Sequence, residues 1–138
     1  MNLGVVWYKR DLRVFDHAPL VEAAKHRQVL PLYIYEAALI RAPDCAAQHV
    51  HFINECLSEL DQALSARGSP LLAQYGEATA VFQRVLDTFG PFTLYSYEET
   101  GNALSYERDK RVAEWCRAHG IVWKEFPANG VVRRLGSR

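Results

Sequence analysis

An α/β fold, a Rossmann-like doubly wound five-stranded parallel sheet with helices on both faces, is what the order of the apolar runs predicts. Short strand-like runs alternate with helix-like runs through the whole chain, and crossovers of that kind force a parallel sheet covered on both sides. Glycine and proline punctuate the ends of the runs. A third observation marks the ligand end of such a sheet: Val5, Val6, Trp7 and Tyr8 empty straight into Lys9, Arg10, Asp11 and Arg13, a charged loop for which a core has no use.

Residues 3–8 form the first apolar strand. Pro19 through Lys25 reads as a short helix with proline in its first turn, where a missing donor costs nothing. Residues 29–35 are the second strand. Val50, Ile53, Leu57, Leu60 and Leu64 recur at helical spacing between Asp44, a plausible cap, and Gly68, a plausible stop. Residues 70–75 make the third strand, and Val81, Phe82, Val85, Leu86 and Phe89 the inward stripe of a helix that Gly90 and Pro91 end. Residues 92–97 are the fourth strand. Ser105 opens a helix that carries Val112, Ala113 and Cys116 inward and ends near His119 and Gly120, before a fifth strand at residues 121–126 that Pro127 closes.

At 138 residues the chain is one domain of ordinary size, long enough to bury a three-layer core. Its 16 basic and 16 acidic residues are interspersed and sum to zero, so no strong general attraction to nucleic acid or to an anionic membrane is expected. No apolar stretch approaches bilayer length and no basic leader precedes the first strand, which predicts a cytoplasmic chain without a membrane partner. Cys45, Cys56 and Cys116 are odd in number and widely spaced, which reads as reduced packing residues rather than a disulfide framework or a zinc site. His49 and His51 stand two apart on a helix and cannot face the same way, so no metal site is expected.

In a doubly wound sheet the ends of the first, second and fourth strands converge where strand order reverses. That selects residues 8–11, 33–36 and 97–102, which offer aromatic faces, a guanidinium and carboxylates suited to a flat, polar-edged heteroaromatic. One of Tyr33 and Tyr35 is expected to serve strand packing instead. Arg10, Asp11, Arg13 and Asp16 could pair with one another and tie the loop together, a reading that suits Asp11 and Arg13, whereas Arg10, nearest the strand end, is the better ligand contact. Neither a dinucleotide fingerprint nor a P-loop occurs, and nothing completes a catalytic constellation.

The opening run from Trp7 through Leu20, with Lys9, Arg10, Asp11, Leu12 and Arg13 at its centre, resembles the start of photolyases and cryptochromes. The resemblance continues through residues 49–60 in the long helix and through Tyr106, Glu107, Arg108, Asp109 and Val112, and it runs into residues 129–135. It implies that residues 1–127 are the amino-terminal domain that holds an antenna chromophore, and that residues 128–138 begin a linker to an FAD-binding helical domain outside this chain. It further implies that the parent protein splits pyrimidine dimers in damaged DNA, using light and reduced FAD, with the lesion flipped out of the duplex. This chain is expected to be inactive in repair by itself, and to self-associate where its partner domain should dock.

By the same resemblance Arg10, Ile34, Tyr35 and Glu98 are the expected chromophore-binding residues, with Ile34 and Tyr35 as walls and Arg10 and Glu98 as polar anchors. A deazaflavin-type antenna is favoured, with folate and flavin as alternatives. Folate-type members carry an Asn–Glu pair where this chain has Leu104 and Ser105. Three other readings stay open: a cryptochrome photoreceptor domain, a universal-stress-like nucleotide-binding module, for which Gly130 alone is a poor phosphate loop, and an interaction module whose crevice is vestigial.

Overall fold

The computed structural model describes residues 2–37, 47–98 and 103–127. Strands and helices alternate as β1 (Leu3–Tyr8), α1 (Ala18–Ala23), β2 (Gln28–Tyr35), α2 (Ala47–Ala66), β3 (Leu72–Tyr75), α3 (Ala78–Phe89), β4 (Thr93–Tyr97), α4 (Ala103–His119) and β5 (Val122–Phe126). Every pairing is parallel and the spatial order is β3-β2-β1-β4-β5, so the sequence reading of a doubly wound five-stranded sheet holds. Element boundaries fall within two residues of those the apolar runs predict. Asp44, Cys45, residues 99–102, the His49 side chain and the linker expected from residue 128 lie outside the described residues.

Strand alternation builds the three layers. Trp7, Leu32, Ile34 and Leu94 face Val81, Phe82 and Val85 of α3 and Val112 and Cys116 of α4. From the same strands Val6, Tyr8 and Tyr95 face Ala23 of α1 and Leu57, Leu60 and Leu64 of α2. The central strand β1 is buried along its whole length, which is why it reads as an unbroken apolar run rather than an alternating one. The chain moves from β1 outward to β3, then crosses the sheet through α3 to start again at β4 on the other side of β1. The carboxyl ends of β1 and β4 therefore flank the point where the winding reverses.

Local chemistry ends each helix where the sequence suggests. Gly68 adopts φ +85°, and Ser69 N donates to Leu64 O at 3.0 Å, closing α2 through the left-handed turn that glycine permits. At the start of α1 the cap is His17, whose Nδ1 accepts from Leu20 N at 3.2 Å, with Pro19 just inside the helix. The end of α1 lies directly on β1: a Cβ at Gly4 would stand 2.9 Å from His26 Cδ2 and 3.1 Å from Ala23 O. His26 is itself held by Tyr95, its Nε2 lying 2.6 Å from the Tyr95 hydroxyl.

Glycine at position 4 is thus required by close packing, and Gly4→Ala is expected to destabilise the fold by about 1–3 kcal/mol through overpacking. Urea unfolding checks this; an unchanged midpoint would show that α1 rides on β1 more loosely than the geometry says.

Candidate functional site

At the carboxyl edge of the sheet, side chains leave for one face or the other, and here the two faces differ in chemistry. On the side of α4, the Lys9 ammonium lies 4.4 Å from the Trp7 ring centroid and 5.5 Å from that of Trp123. Its Nζ donates to Asp109 Oδ2 at 2.8 Å and to Tyr97 O at 3.2 Å. Arg108 stacks on Trp7 as well, with Cζ 4.7 Å from the ring centroid. Its Nε donates to Asp109 Oδ1 at 2.7 Å, and its Nη1 donates to Glu36 Oε2 in an ion pair that spans the sheet edge to α4.

These are interior charges: the Lys9 and Arg108 side chains are 7% and 6% exposed. Two cations and two anions balance, and the indole faces add cation–π attraction where water is excluded. Such a group adds little net stability relative to apolar packing, but removing one member leaves a charge buried without compensation. Burial holds the Glu36 carboxyl above its ordinary range even with Arg108 against it. The neighbouring Glu125 is also raised, by burial first, with Lys9 opposing and Asp109 and Glu98 adding to the shift.

The side facing α1 and α2 is aromatic. His17 is 2% exposed and sits between Tyr8 and Tyr97, at centroid distances of 4.7 Å and 4.9 Å. Burial drives its imidazole down to about 4; Arg13 adds to that, while Asp11 and Asp16 oppose it. Tyr8 OH donates to Arg13 O at 3.2 Å, and burial raises its phenol well above the usual value. Along the rim, Tyr35 stacks on Tyr75 at 4.6 Å and 15°, meets Tyr33 edge to face at 5.1 Å, and donates from its hydroxyl to Asn54 Oδ1 at 2.6 Å. Tyr75 is 74% exposed, so the outermost ring of this stack reaches solvent.

The residues predicted for the site fall on both sides of this divide. Tyr35 lies on the aromatic side, and Arg10 is exposed just past β1. Ile34 is buried among the residues that face α3 and α4, so adjacent Ile34 and Tyr35 cannot form one wall. Glu98 is exposed, its backbone N donates to Phe126 O at 2.8 Å, and its charge acts on Glu125 on the α4 side. Tyr33 and Tyr35, expected to divide between packing and binding, share one face because they stand two apart. The self-pairing reading of the first loop holds for Arg13: Nη1 donates to Asp11 Oδ1 at 3.1 Å, and Nη2 to Asp16 O at 2.8 Å, fixing Asp16 at φ 51°.

Sequence reasoning missed the Lys9–Asp109–Arg108–Glu36 group and the His17 sandwich. The available signal was the place of Lys9 and Glu36, each the first residue past a strand. Among the described residues no set of three or more His, Cys, Asp or Glu side chains could hold a metal ion, and no helix is long and apolar enough to cross a membrane. Cys56 and Cys116 are free thiols, and burial pushes that of Cys116 up to about 11.

Comparison with known proteins returns one family, described as DNA photolyase, matching residues 4–135. A chloroplastic/mitochondrial cryptochrome DASH of Solanum lycopersicum is 30% identical over 106 residues, covering 72% of this chain and 18% of that protein. A deoxyribodipyrimidine photo-lyase of Streptomyces griseus is 34% identical over 91 residues, covering 65% of this chain and 20% of that protein. Among solved structures, an archaeal photolyase from Sulfolobus tokodaii with two FAD molecules, described as implying a novel light-harvesting cofactor, superposes with a TM-score of 0.80 at 29% identity. That match covers 91% of this chain and 29% of the archaeal one. The chain therefore spans less than a third of the length of these relatives.

The buried His17 gives the fold an acid sensitivity of defined sign. Its folded-state pKa lies below the ordinary 6.5, so the unfolded chain binds the extra proton between pH 6.5 and about 4, and stability falls as pH drops through that window. The loss is on the order of 3 kcal/mol once pH falls below the folded-state value. Glu36 and Glu125, raised rather than lowered, act in the opposite direction, so the difference between wild type and His17→Asn isolates the histidine. Asparagine keeps a capping acceptor for Leu20 N, and its melting temperature is expected to fall less than that of wild type between pH 7 and pH 4.5. Parallel pH profiles would show that His17 is not held neutral.

Proposed function

The chain belongs to the DNA photolyase family, and from that premise we propose that residues 1–127 form its antenna-chromophore domain, with residues 128–138 leading toward a helical domain that binds FAD. The observation that carries this reading is the divided rim. Its α4 half is filled by mutually neutralising charges, while its α1/α2 half is aromatic, with Tyr8 and His17 buried at the sheet's reversal point and the more open Tyr35–Tyr75 stack beside them at the ends of β2 and β3. A flat, polar-edged ring system suits the second half and has no place in the first.

The ligand is a flavin-type tricycle, with a deazaflavin favoured. The FAD pair of the archaeal relative supports the broader class, and Leu104 and Ser105 are poor substitutes for the Asn–Glu pair expected of a folate site. Such a group supplies absorption of light and passes the excitation on. Tyr35, held by Asn54 and by stacking on Tyr75, gives a fixed aromatic wall, and Arg10 gives a cation for a polar ring edge or an acidic side chain of the ligand. Ile34 supports the end of β2 from within the core, and Glu98 closes the rim at the end of β4. Rigid mounting matters because energy transfer depends steeply on distance and orientation.

In the complete protein, the partner is the helical domain, where reduced FAD transfers an electron to a pyrimidine dimer in damaged DNA. This chain contributes light capture and no bond-breaking step. Purified alone, it is expected to show no light-dependent dimer repair.

Titration with FAD and with a reduced deazaflavin, followed by absorption and fluorescence, is expected to give saturable binding. Arg10→Ala and Tyr35→Ala should each weaken it about tenfold, equivalent to about 1.4 kcal/mol. Absence of binding by either compound, or affinity unchanged in both variants, would contradict the assignment.

A further inference from the structure

The Arg108–Asp109 pair, on the first turns of α4, is left without a role by the reading above, yet it touches the ends of β1 and β2 directly and reaches the end of β4 through Lys9. Asp109 takes the Lys9 ammonium, the first residue past β1. Arg108 takes the Glu36 carboxylate, the first residue past β2. Lys9 in turn donates to the carbonyl of Tyr97, the last residue of β4. The neighbours of these three points are Arg10, Tyr35 and the Tyr97 ring itself, which meets His17 edge to face.

Resting on the antenna assignment, we propose that Arg108 is a positioning residue: through Glu36 and through Asp109 and Lys9 it fixes, from the far side of the sheet edge, the backbone that presents Arg10, Tyr35 and Tyr97 to the chromophore. The geometry suits this task better than it suits general stability. A planar guanidinium stacked on Trp7 has its direction set by the ring, and its fork addresses two carboxylates on two different elements at once. Lysine at the same place could neutralise the charges without fixing both directions. Apolar packing could hold α4 to the sheet equally well, but would leave the two loops free to shift in register with it.

Replacing both ends of the buried pair separates positioning from folding. Arg108→Met alone strands the Glu36 carboxylate and is expected to destabilise the chain. Arg108→Met combined with Glu36→Met removes the stranded charge, keeps the volume apolar and should restore much of the melting temperature, while Lys9 and Asp109 retain each other. The double variant is read in two ways, alongside Arg108→Lys. FAD titration should show affinity about tenfold lower in the double variant despite its recovered stability, with Arg108→Lys intermediate. Amide exchange without ligand should be about tenfold faster at residues 10–13 and 35–37, with Leu57, Leu60 and the rest of α2 unchanged.

Affinity that recovers together with stability would make Arg108 a fold-stabilising residue only, and overturn the proposal. So would exchange at the two loops that matches wild type. If wild type binds no FAD, the antenna assignment loses its support for this ligand, and the exchange comparison still decides whether Arg108 orders the strand ends.

Discussion

Strand side chains must alternate between faces, and in this protein that constraint continues to matter where the strands run out. Tyr8, Tyr35 and Tyr97 end their strands on the face of α1 and α2, while Lys9 and Glu36, each one residue further along, reach α4. One step along the backbone separates a ring from a charge. The sheet edge is consequently a boundary between two environments, which share a central strand buried along its whole length.

The charged side resolves a conflict between folding and binding. A strand end that offers aromatic rings to a ligand is a poor place to store rigidity, because rings awaiting a partner are only half packed. In the proposed arrangement order is supplied from behind, by four charges that neutralise one another under α4 and by two indoles that replace part of their lost hydration. Arg13 does the same locally, tying its own loop to Asp11 and Asp16. Helix α1 is pressed to β1 at Gly4 and capped by the neutral His17, so the aromatic side too is bounded by elements with little freedom.

How much of this could be read from the sequence follows from the range of the interactions. The strands and helices were legible because their signals are local: periodicity, a proline in a first turn, a glycine after a last one. Gly68 and Pro19 do what their positions suggest. The charge group was not legible, since Lys9 and Asp109 are 100 residues apart and a lysine after a strand ordinarily belongs to a solvated loop. The faces of the β2 residues are legible from the sequence alone: alternation puts Ile34 and Tyr35, both expected as walls, on opposite sides of the sheet and unites Tyr33 with Tyr35. Arg108 and Asp109 belong to the run that carries the family resemblance, but their physical task depends on partners at Glu36 and Lys9 that are remote in sequence.

The central claim is that a chromophore occupies the aromatic side of the rim and spares the charged side, and ligand-induced shifts in a two-dimensional 1H–15N spectrum test it most directly. On addition of FAD, the backbone signals of Tyr8, His17, Tyr35 and Tyr97 are expected to move, while the indole N–H signals of Trp7 and Trp123 beneath Lys9 stay in place. Largest shifts at those two indoles, with the tyrosine side unmoved, would put the ligand on the wrong face and contradict the account.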